Sequence, residues 1–152
     1  MDFFPSFSEF KDKLNKKQNQ IVYTKFSADL DTPVSLMMKL AKEEKNSFLL
    51  ESVTGGEIKG RYSVIGMKPD LIWKCNLEES EINRKVLEKS NNFIKQSNPP
   101  VSELKSLIKE SYLQIPDNLP AMSSGLFGYL SYEMINFEKK ISEIKKNDLN
   151  LP

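Results

Sequence analysis

Glu51, Ser52 and Arg61 are the residues of this chain whose types and spacing invite chemistry. The first two follow the apolar run Phe48–Leu50, so a carboxylate and a hydroxyl stand at the end of a strand that should pass through a core. Burying either without a partner costs about 1–3 kcal/mol or more. Arg61 is one of only two arginines among 22 basic residues, the other being Arg84. Its planar fork can grip a carboxylate at two points, which a lysine cannot do. Two readings fit. In one, Glu51, Ser52 and Arg61 line a pocket for a small polar ligand. In the other, Glu51 pairs with Arg61 or Lys59 across a hairpin, and Ser52 opens the turn. Successive strand side chains point to opposite faces, so an undistorted strand cannot aim both Glu51 and Ser52 into one cavity.

Other chemistry is thinly represented. With no histidine and a single cysteine, Cys75, the sequence excludes a zinc site, a histidine proton relay and an internal disulfide. Any catalysis would fall to carboxylates, lysines or tyrosines, yet no pair of acids is marked out for acid and base roles. Gly55-Gly56 lacks the context of a phosphate loop and reads as a turn; GLFGY, 125–129, reads as a closely packed strand. Tyr129 and Tyr132 are ordinary strand residues on one reading and pocket lining on another.

The elements that must position these residues follow from patterning. Ser6 and Glu9 form a capping box ahead of a helix ending near Asn15, and the β-branched run Gln20–Phe26 reads as a strand. Thr32 and Pro33 open a second helix, with Val34, Met37, Met38 and Ala41 on one stripe, that should stop near Lys45. Phe48–Glu51, a turn at Thr54–Glu57 and Arg61–Ile65 then make a hairpin; after a turn at Met67–Asp70, Leu71–Cys75 supplies the third strand of a meander. Between Asn76 and Pro100 the spacing of Ile82, Val86, Ser90, Phe93 and Ile94 fits a helix while the flanks also allow an irregular hairpin, which leaves the type open. Val101–Tyr112 reads as a helix with Leu104, Leu107 and Ile108 on one face, Leu126–Ser131 as a strand and Glu133–Ile144 as a helix. Strands and helices mix without regular βαβ alternation, which gives an α+β class with mostly antiparallel sheet.

Length and charge bound the rest. The 152 residues suit one domain, 1–152, with 39% hydrophobic and 28% charged residues. A net charge of +1 offers no field for a phosphate backbone, which disfavours nucleic acid as a partner. The sequence has neither an apolar run long enough for a membrane span nor a signal-peptide pattern, and the chain reads as cytoplasmic.

Four segments in the same order carry a family resemblance: TPVSLMMKL at 32–40, LLES at 49–52, GGEIKGRYSVIG at 55–66 and GLFGYLSYE at 125–133. Together they resemble the N-terminal region of anthranilate synthase component I, and the related aminodeoxychorismate synthase component I shares much of the pattern. The resemblance implies an N-terminal fragment of a chorismate-utilising enzyme, its α+β fold having mostly antiparallel, β-sandwich-like sheets with flanking helices. It places chorismate, Mg²⁺ and the catalytic groups in a C-terminal domain beyond this chain, which then has no cofactor of its own and no activity alone. It also implies a glutamine amidotransferase partner and feedback inhibition by tryptophan. Carried over by motif, Leu50, Glu51 and Ser52 are expected tryptophan contacts, with Arg61, Tyr62 and Ser63 on the facing strand. A self-contained amino-acid-binding module and a purely structural domain are the rival readings.

Overall fold

A computed structural model describes residues 2–51, 62–76, 79–132 and 134. In chain order these form α1 (Phe7–Asn15), α2 (Pro33–Ala41), β1 (Phe48–Leu50), β2 (Val64–Gly66), β3 (Ile72–Asn76), β4 (Glu79–Asn83), β5 (Ile94–Lys95), α3 (Pro100–Glu110) and a 3₁₀ turn (Ala121–Ser123). The class is α+β. β1 and β2 make one small sheet and β3-β4-β5 another, with antiparallel pairing at β1–β2 and β4–β5. The described residues fall into two compact units: 1–26, 75–80 and 96–152 in the first, 27–74 and 81–95 in the second.

In the first unit, α1 begins as its sequence dictates. Ser6 Oγ accepts from the Glu9 backbone N–H, and the Glu9 carboxylate accepts from the Ser6 N–H at 2.9 Å. The Ser6 hydroxyl also donates to the Glu9 carboxylate at 2.8 Å, and this bond first, then the one from the Ser6 N–H, hold the Glu9 carboxyl below the usual glutamate range. The helix ends in a Schellman-type turn: Gln18 N–H donates to Lys13 O at 3.0 Å while Lys17 takes the left-handed conformation, φ 53°.

Gln20–Phe26 is not a strand. It makes one antiparallel bridge, Phe4 to Tyr23, with both backbone bonds at 2.8 Å and the two rings stacked at 5.3 Å. The facing segment is too short to extend the ladder, because Pro5 has no N–H and Ser6 already caps α1. Side chains anchor the remainder instead. Lys25 Nζ donates to Asn118 O, and Asn118 Nδ2 to the Tyr23 hydroxyl, both at 2.7 Å. Asn19 Nδ2 reaches the carbonyls of Glu110 and Tyr112 at 3.4 and 3.3 Å, satisfying orphan acceptors at the end of α3. Of the apolar face expected on α3, Leu107 is buried at 2% exposure, whereas Ile108 is 54% exposed.

The stretch 126–131 is likewise not a strand: it joins no ladder among the described residues. Leu126, Phe127, Tyr129, Leu130 and Tyr132 are all at least 40% exposed. The helix expected over Glu133–Ile144 lies outside the described residues apart from Met134, as does the turn at Thr54–Glu57.

In the second unit, α2 packs against both β1 and β2. The chain leaves that sheet at Lys68, φ 52°, followed by Pro69, so β3 joins β4 rather than adding a third strand to the hairpin. The ambiguous region 76–100 is a hairpin with a loop. Ile82 lies on β4 and pairs with Ile94 on β5, while Val86 is buried from the connecting turn. The four-residue spacing from Ile82 to Val86 thus imitates a helix without forming one.

Candidate functional site

Of the candidate residues, Leu50 is the last of β1, and Glu51, Tyr62 and Ser63 follow or precede the β1–β2 ladder directly; local chemistry fixes where that ladder lies. Thr32 and Ser35 form a reciprocal capping box at the start of α2, with Pro33 as its first residue. Asp31 accepts from Lys39 and, at 2.9 Å, from Ser35 Oγ. Those two bonds, the lysine first, lower the Asp31 pKa. Beyond α2, Asn46 turns the chain in the left-handed region at φ 59°, a conformation asparagine tolerates. Ser47 Oγ donates to Glu44 O at 3.0 Å, and Glu44 forms an ion pair with Lys68 at 3.2 Å. The approach to β1 and the exit from β2 are therefore tied to each other.

Register follows from one contact. β1 and β2 pair as Phe48–Gly66, Leu49–Ile65 and Leu50–Val64, and the Phe48 ring lies where any Cβ on Gly66 would stand. No other residue at position 66 admits that ring without displacement. The pairing is symmetric about position 57, whereas the turn expected at Thr54–Glu57 is centred between positions 55 and 56 and would set Phe48 opposite Ser63.

Continuing the register by one step sets Glu51 opposite Ser63. Carried beyond the three ladder pairs in this way, side-chain alternation would put Leu50 and Tyr62 on one face and Glu51 and Ser63 on the other. Leu50 is 51% exposed and Tyr62 44%, and Glu51 and Ser63 are exposed as well. A ligand that touches both sets needs the chain to bend where β1 ends, at Leu50, or must use backbone groups there. Ser52 and Arg61 lie outside the described residues, as does the alternative Glu51–Arg61 ion pair.

Nothing else described resembles a reaction centre. A surface recess in the first unit is lined by Lys13, Asn19, Gln114 and Asp117 among others, and takes in none of the candidates. Burial pushes the Cys75 thiol pKa up, which disfavours the thiolate needed for nucleophilic attack. Among the described residues no three His, Cys, Asp or Glu side chains gather as a metal site. Nor is any helix among them long and apolar enough to cross a membrane.

No protein-family model matches the chain, and no solved structure does. Curated relatives do. The chain is 50% identical over 147 residues to anthranilate synthase component 1 of Cereibacter sphaeroides, an alignment covering 97% of this chain and 29% of the relative. The protein of the same name from Acetivibrio thermocellus is 33% identical over 153 residues, 99% of this chain and 29% of the relative. That from Synechocystis is 36% identical over 136 residues, 88% and 25%. The chain spans under a third of the length of these relatives and matches their N-terminal part.

Proposed function

By sequence the chain belongs to the anthranilate synthase component 1 family, matching the N-terminal part of its members, and from that premise we propose that it is the regulatory region of a chorismate-utilising subunit. The subunit would convert chorismate and ammonia to anthranilate and pyruvate in tryptophan biosynthesis in the cytoplasm, with ammonia supplied by a glutamine amidotransferase partner. Catalysis and Mg²⁺ belong to the part of the subunit that this chain does not span, as does completion of the β-sandwich-like fold. Alone, the chain is inactive. The 50% identity across 97% of the chain, against 29% of the relative, is the observation that carries this reading. The relatives' shared name favours anthranilate over aminodeoxychorismate as the product.

The regulatory role is assigned to the segments flanking the end of the β1–β2 ladder because their residue types match what tryptophan demands. Its indole needs an apolar wall, its ammonium an acceptor and its carboxylate a donor. Leu50 and Tyr62 supply the wall on one face, Glu51 the acceptor, and Ser52, Ser63 and Arg61 the donors. Inhibition follows if bound tryptophan favours one arrangement of this region and the catalytic part over another. Reciprocity then requires chorismate to weaken tryptophan binding by the same factor.

The test joins this chain to the remainder of the Cereibacter sphaeroides relative and measures anthranilate formation from chorismate and ammonia. Activity inhibited by micromolar-range tryptophan supports the proposal. An active chimera indifferent to tryptophan removes the regulatory role from this region, and aminodeoxychorismate as the product of the native full-length subunit would redirect the pathway.

A further inference from the structure

The loop between β4 and β5 is held from inside by a residue that neither the family resemblance nor the candidate site uses. Asn83, the last residue of β4, is 0% exposed. Its Nδ2 donates to Lys89 O at 2.7 Å and Ser90 O at 3.2 Å, and its Oδ1 accepts from the Lys85 N–H at 2.8 Å. A primary amide has two N–H donors and one carbonyl oxygen, and here both donors and the oxygen are engaged with loop backbone. The β4–β5 ladder that should close this loop is short, its pairs being Glu81–Lys95 and Ile82–Ile94. The loop's own order comes from one helical turn, with Glu88 and Lys89 N–H both donating to Lys85 O, and from Val86, which is buried at 7% exposure. Lys74 Nζ over the Phe93 ring at 4.1 Å ties down the far end. The outer side, residues 87–92, faces solvent, with Leu87 68% exposed.

We infer that Asn83 is a clasp that sets the balance between closed and open states of the 84–93 loop. A loop with one buried apolar side chain and a short ladder belongs to the weakly held part of a fold and opens locally unless something specific opposes it. The Asn83 amide is placed to oppose it, because opening would strand a buried amide and release three backbone partners at once. Neighbouring residue types cannot substitute. Aspartate would set a carboxylate against the Lys89 and Ser90 carbonyls with no donor, and leucine would fill the volume while leaving all three backbone groups unpaired.

Amide hydrogen exchange on the 152-residue chain tests the clasp. Asn83→Asp and Asn83→Leu should each accelerate exchange across 84–93 by at least about tenfold, while α1, α3 and the β1–β2 ladder exchange as before. The emission of Trp73, the single tryptophan, on β3, should stay at its wild-type wavelength. Unchanged exchange at 84–93 overturns the inference. Equal acceleration throughout the chain overturns it too, since Asn83 would then be an ordinary core residue. If both variants fail to fold, the wild-type chain still decides: the Glu88, Lys89 and Asn92 amides should exchange through a shared opening with a weaker urea dependence than global unfolding. Exchange of those amides only through global unfolding would contradict the clasp.

Discussion

Replacing Gly66 with alanine should destabilise the protein, although on backbone grounds alone it should do the reverse. Gly66 sits within β2 without a left-handed φ, so alanine can adopt its conformation and would reduce the freedom of the unfolded chain, a gain of about 0.5–1 kcal/mol. Against that stands the Phe48 ring, whose edge occupies the space the new methyl requires. Forcing an extra carbon into such a contact displaces the ring or the strand at roughly 1–3 kcal/mol. The balance is a net loss of about 1–2 kcal/mol, which lowers a urea midpoint by about 0.5–1 M if the slope is unchanged. The assay is a double-mutant cycle read by urea denaturation. With Phe48→Ala already in place the obstruction is gone, so Gly66→Ala should become neutral or mildly stabilising, with a coupling of at least about 1 kcal/mol. Equal costs of Gly66→Ala in both backgrounds would refute the argument that the ring over the glycine fixes the β1–β2 register, and with it the assignment of Leu50 and Tyr62 to a common face.

Lys17 occupies the left-handed position that ends α1, where glycine is free of the side-chain penalty. Lys17→Gly should therefore raise stability by about 1 kcal/mol in the same denaturation assay. Glu9 and Asp31 titrate below their ordinary values, Glu9 through Ser6 and Asp31 through Lys39 and Ser35. Their contributions are present above the ordinary carboxylate range and are lost as pH falls through the lower folded values. The first turns of α1 and α2 should loosen together in acid, as followed by amide exchange, and Ser6→Ala should raise the midpoint of the Glu9 carboxyl resonance part of the way to its ordinary value, the bond from the residue-6 backbone N–H remaining. Calorimetry of the isolated chain with tryptophan should show weak or no binding, because the remaining wall of the proposed pocket belongs to the rest of the subunit. Tight binding would mean that the site is complete in this chain.

Local chemistry was readable wherever a few neighbouring residues decide the outcome. The Ser6–Glu9 capping box and the Thr32 cap followed by Pro33 formed as their side chains dictate, and α3 and the β1–β2 hairpin appeared within a few residues of their expected bounds. Readings that needed a distant partner fared worse. Gln20–Phe26 has strand-forming residues, but the segment beside Phe4 offers one bridge before Pro5 ends the pairing. Leu126–Ser131 has apolar and aromatic residues fenced by glycines, and it joins no ladder among the described residues. Propensity states what a segment can do, whereas pairing depends on an edge elsewhere in the chain. At the candidate site, the strand pair beside Leu50, Glu51, Tyr62 and Ser63 was legible from the apolar run Phe48–Leu50 and the Gly55-Gly56 turn signal. Its register depends on Phe48 filling the space above Gly66, a contact between residues eighteen positions apart that composition and periodicity do not express.

The central claim is that this region reads tryptophan for a catalytic part it does not contain. The most direct measurement is anthranilate formation from chorismate by a full-length subunit carrying this region, titrated with tryptophan, for the wild type and for Ser52→Phe. The account predicts that Ser52→Phe keeps chorismate turnover nearly intact and raises the half-inhibiting tryptophan concentration at least about tenfold, within the range of ordinary allosteric coupling. Superimposable inhibition curves for the two proteins would contradict it.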